Sequence, residues 1–420
     1  MKKLEKNRKI PCDLIEDFPP ARNEYEILKT KFCGLDFESP FILAASPCTD
    51  EISLLERAFD MGWAGAVLKT TSVEGTVVNL AYPMMSSLNY NESRVVGLGN
   101  IDLISKYDVR EVSLRVSKLK NKYPEKIVIA SIMGTRKEDW QELTKRLFDS
   151  GADMIECSFS CPQGSMGEEP GKMLAQSVAA TEKVASWVKE SAGSKPVSIK
   201  ITPQVTDIVE IARALERAGV DCITASNSVP ALMGIDIENF TPVPSISGKS
   251  TYSGFTGPAI KPITLRTIAE IAKNTRLPVS GTGGISCWRD AVEVMSVGAG
   301  IVQLCTAVMH YGFRIIDDLK SGLTNYMLRK GMKSPSEIVG KALPNIVNHE
   351  SLSRLKVRSS IRKSLCIGCG VCVVACRDGG HEAIGFSKKR IPVVDEEKCA
   401  GCGLCRVVCP VDGCIEMKVI

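Results

Sequence analysis

From Phe32 onward, short apolar runs alternate with amphipathic segments of helical period, a pattern that predicts βα units on a parallel sheet. Eight runs stand out, at residues 41–45, 64–69, 127–133, 153–159, 197–201, 221–226, 277–281 and 300–306. Segments with a helical apolar stripe follow most of them, at 137–149, 172–190, 206–218, 263–274 and 287–297. Eight such units in about 300 residues predict an α/β fold of the TIM (β/α)8 barrel type. A doubly wound sheet is the alternative. No strand, however, is followed by G-x-G-x-x-G, so the usual seat for a nicotinamide or FAD is missing as well.

Two spans break the regularity. Residues 70–108 and 228–256 are long, polar and rich in Gly and Pro, as expected of loops that wall the mouth of a barrel. Residues 1–30, with Pro11, Pro19 and Pro20 among charges, read as an extended N-terminal arm without a core of its own. The barrel then occupies 31–330. A linker with a short helix near 336–342 fills 331–363, and a small cysteine-rich α+β domain fills 364–420.

That last domain changes the picture. Two runs, C-I-G-C-G-V-C-V-V-A-C from Cys366 and C-A-G-C-G-L-C-R-V-V-C-P from Cys399, each read C-x2-C-x2-C-x3-C, the spacing with which bacterial ferredoxins hold iron–sulfur clusters. The fourth cysteine of each run serves the cluster begun by the other. Cys366, Cys369, Cys372 and Cys409 are therefore expected on one 4Fe-4S cluster, and Cys399, Cys402, Cys405 and Cys376 on a second. Structural zinc, the alternative, usually takes two separated C-x2-C pairs. Cys414 lies outside the pattern and reads as core.

Seventeen cysteines in a chain of 420 residues, eight of them assigned to clusters, suit a reducing cytoplasm better than a disulfide scaffold. Lys2, Lys3, Lys6, Arg8 and Lys9 are not followed by an apolar signal core, and no apolar run is long enough to cross a membrane. A net charge of +5 with 5% aromatics shows no basic, aromatic-laced field, so nucleic acid is not an expected partner.

If clusters carry electrons, the barrel must supply or consume them, and barrel chemistry sits where strands end. Those edges hold Ala45 and Ser46, Lys69, Ser158 with Cys161 beyond it, Lys200, Asn227 and Ser228, the Gly281–Thr282–Gly283–Gly284 turn, and Cys305 with Thr306. Two lysines at the ends of apolar strands predict a shared anionic ligand, because a buried ammonium is costly without one. The glycine turn and Thr306 occupy the position where barrels bind phosphate. Together these residues suggest FMN. Cys161, on a loop beside Pro162, is the candidate proton donor, since a thiol titrates near pH 8.5. None of the three histidines stands at a strand edge.

At this point specific stretches match a known family: K-T-T-S at Lys69, G-N-I-D-L-I at Gly99, F-S-C-P-Q at Phe159, K-I-T-P at Lys200, T-A-S-N-S at Thr224, Y-S-G-F-T-G-P-A-I-K-P at Tyr252 and G-T-G-G-I at Gly281. The barrel resembles the dihydroorotate dehydrogenase superfamily. With the ferredoxin tail, the chain from about residue 32 is similar to the pyrimidine-reducing half of dihydropyrimidine dehydrogenases. The resemblance implies that Cys161 protonates C5 of a pyrimidine while reduced FMN delivers hydride to C6. It also implies that Asn100, Asn227 and Ser228 hold the amide edges of the ring, with Ser158 beside them. Lys69 and Lys200 would lie against the flavin, with Ala45, Ser46, Gly257, Gly283, Gly284, Cys305 and Thr306 on FMN. A separate flavoprotein carrying FAD and oxidising NADH is the implied electron donor, in a hetero-oligomer built on a homodimer.

One departure stands out. The family usually carries asparagine where this chain has Ser158, and a serine is shorter with a single donor. Either a water fills the gap or the ring differs from uracil, since an unpaired buried amide costs about 1–3 kcal/mol. Gln204 is a milder change. The expected function is reduction of the C5=C6 bond of uracil, thymine or a related ring. The alternatives are a dihydroorotate-type or other-substrate FMN enzyme and a non-catalytic electron-transfer subunit. A tRNA-modifying flavoenzyme should add a basic extension, which the charge does not supply.

Overall fold

A computed structural model describes residues 20–90, 94–159 and 173–420. The eight apolar runs form a closed parallel barrel of β1 (Phe41–Leu43), β2 (Gly65–Val67), β3 (Ile127–Ile132), β4 (Met154–Ser158), β5 (Val197–Lys200), β6 (Cys222–Ala225), β7 (Val279–Thr282) and β8 (Ala299–Leu304). Each strand pairs with its sequence neighbour, and β8 closes on β1 through Gln303 opposite Ile42. Around them run α1 (Ile52–Asp60), α2 (Val109–Lys122), α3 (Lys137–Asp149), α4 (Val178–Ala192), α5 (Ile208–Arg217), α6 (Lys261–Asn274), α7 (Trp288–Ser296), α8 (Thr306–Tyr311) and α9 (Ile315–Lys330). The stripe read from 172 becomes helix only at Val178, where the Ser177 hydroxyl accepts the Ala180 N–H and caps the first turn.

Alternation along the strands sorts the core. On β4, Met154 belongs to the barrel interior, whereas Ile155 and Cys157, with Phe159 just beyond the strand, join the large core under the helices. The lower interior is filled by Ile42, Val67, Ile129, Met154, Cys222 and Ile301, and is closed by Phe32 and Phe37 from the hairpin Thr30–Phe32/Leu35–Phe37. Its two-residue turn, Cys33–Gly34, has positive φ at both positions (49° and 80°), the geometry that matches the twist of paired strands. Phe37 is 2% exposed. Phe37→Ala is therefore expected to lower stability by about 3–5 kcal/mol in denaturant unfolding, the usual cost of emptying a buried phenylalanine site.

The structure corrects the sequence reading in three places. The arm is not free along its whole length, because Arg22–Leu28 forms a 3-10 turn against α9 with Leu28 wholly buried; residues 1–19 lie outside the described residues. The two long interruptions are not open loops. They pair with each other into an antiparallel sheet in the order Val229–Ala231, Ser253–Thr256, Arg94–Asn100, Met85–Tyr90. Gly97 and Gly99 hide this strand from propensity. A Cβ on Gly97 would stand 2.3 Å from the Phe255 ring, and one on Gly99 2.2 Å from Met233, so the glycines make room for neighbours.

Third, the stretch read as a linker is divided. By contact the chain separates into a barrel unit ending at Asn345 and a second unit, Ile346–Ile420. The helix expected at 336–342 is replaced by 3-10 turns Pro335–Glu337 and Leu343–Asn345, held to the end of α7 by Gly340 N–H to Met295 O (3.0 Å) and Ala342 N–H to Ser296 O (2.8 Å). In the second unit, Val357–Ile361 pairs antiparallel with Ile415–Val419, beside α10 (Val371–Asp378), α11 (Leu404–Val407) and the hairpin Ile384–Phe386/Pro392–Val394. Among the described residues no helix is long and apolar enough to cross a membrane.

Candidate active site and cluster sites

A cavity of about 610 Å³ opens at the C-terminal ends of the barrel strands. Of the strand-edge candidates among the described residues, all but Gly281 line it. Ala45 and Ser46 follow β1, Lys69 follows β2, Ser158 ends β4 and Lys200 ends β5. Asn227 and Ser228 follow β6, Gly283 and Gly284 follow β7, and Cys305 and Thr306 follow β8. The inserted sheet adds Asn100 and Gly257. Cys161 lies outside the described residues.

Each lysine has a carboxylate of its own, which the sequence reading missed. Lys69 Nζ donates to Asp102 at 3.0 Å, with Asp50 at 4.0 Å, and the side chains of Lys69 and Asp102 are largely shielded from solvent. Lys200 Nζ stands 3.7 Å from Glu156, which is wholly buried one inward position below Ser158. The lysines thus do not depend on an anionic ligand for charge balance, and they remain available as donors to one.

On the opposite wall, Asn100 Nδ2 donates to Gly254 O at 3.0 Å, which fixes the side chain across the inserted sheet. Asn227 Oδ1 accepts the Ser228 N–H at 2.8 Å. These contacts hold two amide side chains at the mouth, each with a donor and an acceptor, the combination that suits a ring of alternating C=O and N–H groups.

The donor set fits a flavin nucleotide. Ser46 Oγ, Ser226 Oγ and Gln303 Oε1 border the cavity, are buried, and have no hydrogen-bond partner, so a polar ligand would satisfy them. Gly283 and Gly284 have φ of 121° and 76°. A Cβ on Gly284 would stand 2.5 Å from the Lys261 backbone nitrogen, so only glycine lets this turn lie so close to α6. Thr306 Oγ1 shares a 3.0 Å hydrogen bond with Thr256 Oγ1 across from the turn. Cys305 is an inert wall: burial, then the nearby Cys48 thiol, push its pKa up to about 12 despite the Lys200 ammonium, so it stays a neutral thiol.

In the second unit, Cys366, Cys369, Cys372 and Cys409 line one small cavity, the grouping that crossed ligation requires. Burial, then the neighbouring Cys366 and Cys369, raise the Cys372 thiol. The other set lies around α11: Cys405 feels Cys402 and Cys399, and Cys376 sits on α10, which packs on α11. Against the cost of its burial, hydrogen bonds from the Ser359 and Gly401 backbone hold the Cys399 thiol below its ordinary value, toward the thiolate that binds metal. Among the described residues no group of three or more His, Cys, Asp or Glu side chains stands close enough together to hold a metal ion. Cys414, read as core, is buried in the same cavity as Cys409, and burial together with that neighbour push it up to about 11.

Residues 27–327 match the dihydroorotate dehydrogenase family, and residues 359–417 match the 4Fe-4S dicluster domain. The chain is 40% identical over 398 residues, 93% of its own length and 95% of the relative's, to the Escherichia coli (strain K12) protein named NAD-dependent dihydropyrimidine dehydrogenase subunit PreA. It is 32% identical over 331 residues to the chloroplastic dihydropyrimidine dehydrogenase (NADP(+)) of Arabidopsis thaliana, covering 76% of this chain and 78% of that one. To the dihydroorotate dehydrogenase B (NAD(+)) catalytic subunit of Pyrococcus horikoshii it is 33% identical over 329 residues, 76% of this chain and 98% of the relative.

Proposed function

Because this chain belongs to the dihydroorotate dehydrogenase family and ends in a 4Fe-4S dicluster domain, we propose that it is the catalytic subunit of an NAD-dependent dihydropyrimidine dehydrogenase. Its substrate would be uracil, thymine or a related ring, reduced at C5=C6. The observation that carries this reading is the pairing of both domains with a relative of that name along 93% of the chain. The dihydroorotate dehydrogenase B relative aligns over a smaller share, 76%.

FMN would be held by Ala45, Ser46, Lys69, Lys200, Gly257, Gly283, Gly284, Cys305 and Thr306. When bound, it supplies a two-electron donor for C6 and one-electron exchange with the clusters. The chain's own residues do the rest. Asn100, Asn227, Ser228 and Ser158 orient the ring by its amide edges. Cys161 gives its proton to C5 and is reprotonated from solvent, so that two electrons and two protons enter per ring. The eight cluster cysteines would hold iron–sulfur centres that supply one-electron transfer from a partner subunit carrying FAD and oxidising NADH, in a hetero-oligomer built on a homodimer. Eight cysteines committed to iron–sulfur clusters suit the reducing cytoplasm.

An anaerobic screen of uracil, thymine, dihydrouracil and dihydroorotate against flavin reoxidation and reduction tests the substrate. Reoxidation by uracil or thymine is expected; reduction by dihydroorotate alone would transfer the chain to the other activity. Gly284→Val should leave the clusters in place and strip the flavin. A branched side chain at φ 76° against the Lys261 backbone cannot keep the turn. Absorbance of the purified variant reads both cofactors at once.

A further inference from the structure

We propose that Glu156 is the positioning residue for Lys200: its buried carboxylate holds the ammonium at the barrel mouth and sets the net charge beneath the flavin seat. The inference rests on the reading of the mouth as that seat.

Glu156 is 0% exposed in the middle of β4, among strands whose other inward residues at this height are neutral. Its two oxygens do different things. Oε2 accepts from Thr224 Oγ1 at 2.8 Å and from Gln303 Nε2 at 2.9 Å. Those donors are themselves tied into the barrel, Thr224 to Ser198 at 2.8 Å and Gln303 to Ser280 at 3.0 Å. Oε1 has no hydrogen-bond partner and stands 3.7 Å from Lys200 Nζ. Had the side chain only to tie Thr224 and Gln303 together, a neutral amide would serve. A full charge with one oxygen left bare is worth its desolvation only for the ammonium above it.

The two cavity lysines therefore differ. Lys69 spends a donor on Asp102 at 3.0 Å, whereas Lys200 is held at a distance too long for a hydrogen bond and keeps its N–H groups for the cavity it lines. Glutamate at 156 anchors the ammonium without occupying it.

The test compares holoprotein carrying Glu156→Gln, Lys200→Met or both, reading the flavin midpoint potential by anaerobic spectroelectrochemistry and the thermal unfolding midpoint of the flavin-stripped chain. Glu156→Gln should move the potential positive, because an unbalanced ammonium favours the more anionic reduced flavin, and Lys200→Met should move it negative. In the Lys200→Met background, Glu156→Gln should shift the potential by less, since only the direct field of the carboxylate is then lost, and it should raise the unfolding midpoint by removing a stranded buried carboxylate. Coupled unfolding midpoints with an unmoved potential would reduce the pair to a structural one and overturn the inference. So would an equal potential shift in both backgrounds. Wild-type protein that retains no flavin, visible in its absorbance, would overturn the reading of the mouth itself and this inference with it.

Discussion

Protein carrying Cys161→Ala should keep its flavin and both clusters yet reduce uracil or thymine about 10²–10⁴-fold more slowly, the usual span for removal of a general acid. Among the described residues no other thiol at the mouth can take over. Cys305 lines the same cavity, but burial pushes it up to about 12, so it neither releases a proton readily nor titrates near neutrality. The two directions of the reaction should also respond oppositely to pH. Reduction needs the thiol and should fall as pH climbs through the pKa of Cys161, whereas oxidation of the dihydro ring needs the thiolate and should rise. The Cys161→Ala protein should lose both limbs. Stopped-flow reoxidation of the reduced flavin by uracil across pH measures this directly, and a rate unchanged by the substitution would remove the proton-transfer role.

Loss of Cys409 is expected to be as severe by another route. If ligation is crossed, Cys409→Ala empties the cluster begun by Cys366, Cys369 and Cys372, although Cys409 belongs to the other run of sequence. Iron should fall by half and NADH-driven turnover should vanish, while flavin reduced chemically still reacts with the ring. Cys414 lies in the same small cavity and is the thiol able to step in, so the Cys409→Ala, Cys414→Ala pair gives the clean result. Alkylation of freed thiols followed by mass spectrometry identifies the emptied site. Modification at Cys366, Cys369 and Cys372 fits the crossing; modification at Cys399, Cys402 and Cys405 would contradict it.

The barrel was legible because its strands are apolar on both faces for a reason that sequence exposes: outward residues such as Ile155 and Cys157 meet helices, and inward ones such as Met154 meet the floor. The cavity-lining residues were legible because barrel chemistry sits at strand ends, so a list of edges is already a list of candidates. The inserted sheet was not. Its central strand is interrupted by Gly97 and Gly99, which lower strand propensity while admitting Phe255 and Met233. Nor were the carboxylate partners. Asp102 reaches Lys69 from 33 positions away, a contact only the fold creates. Glu156 does leave a signal, an acid inside the apolar run 153–159 on the same inward register as Ser158, but sequence does not show that a lysine at a strand edge already has its carboxylate on the neighbouring strand. The packed N-terminal turn was obscured by the prolines and charges around it, which resemble a solvated arm until Leu28 is seen buried against α9.

The account stands on electrons passing singly through thiolate-bound iron to a flavin in the barrel mouth. Protein purified without exposure to air and assayed for bound iron, acid-labile sulfide and flavin tests this most directly. The expected result is about eight irons with matching sulfide, and FMN, per chain; protein containing neither iron nor FMN would contradict it.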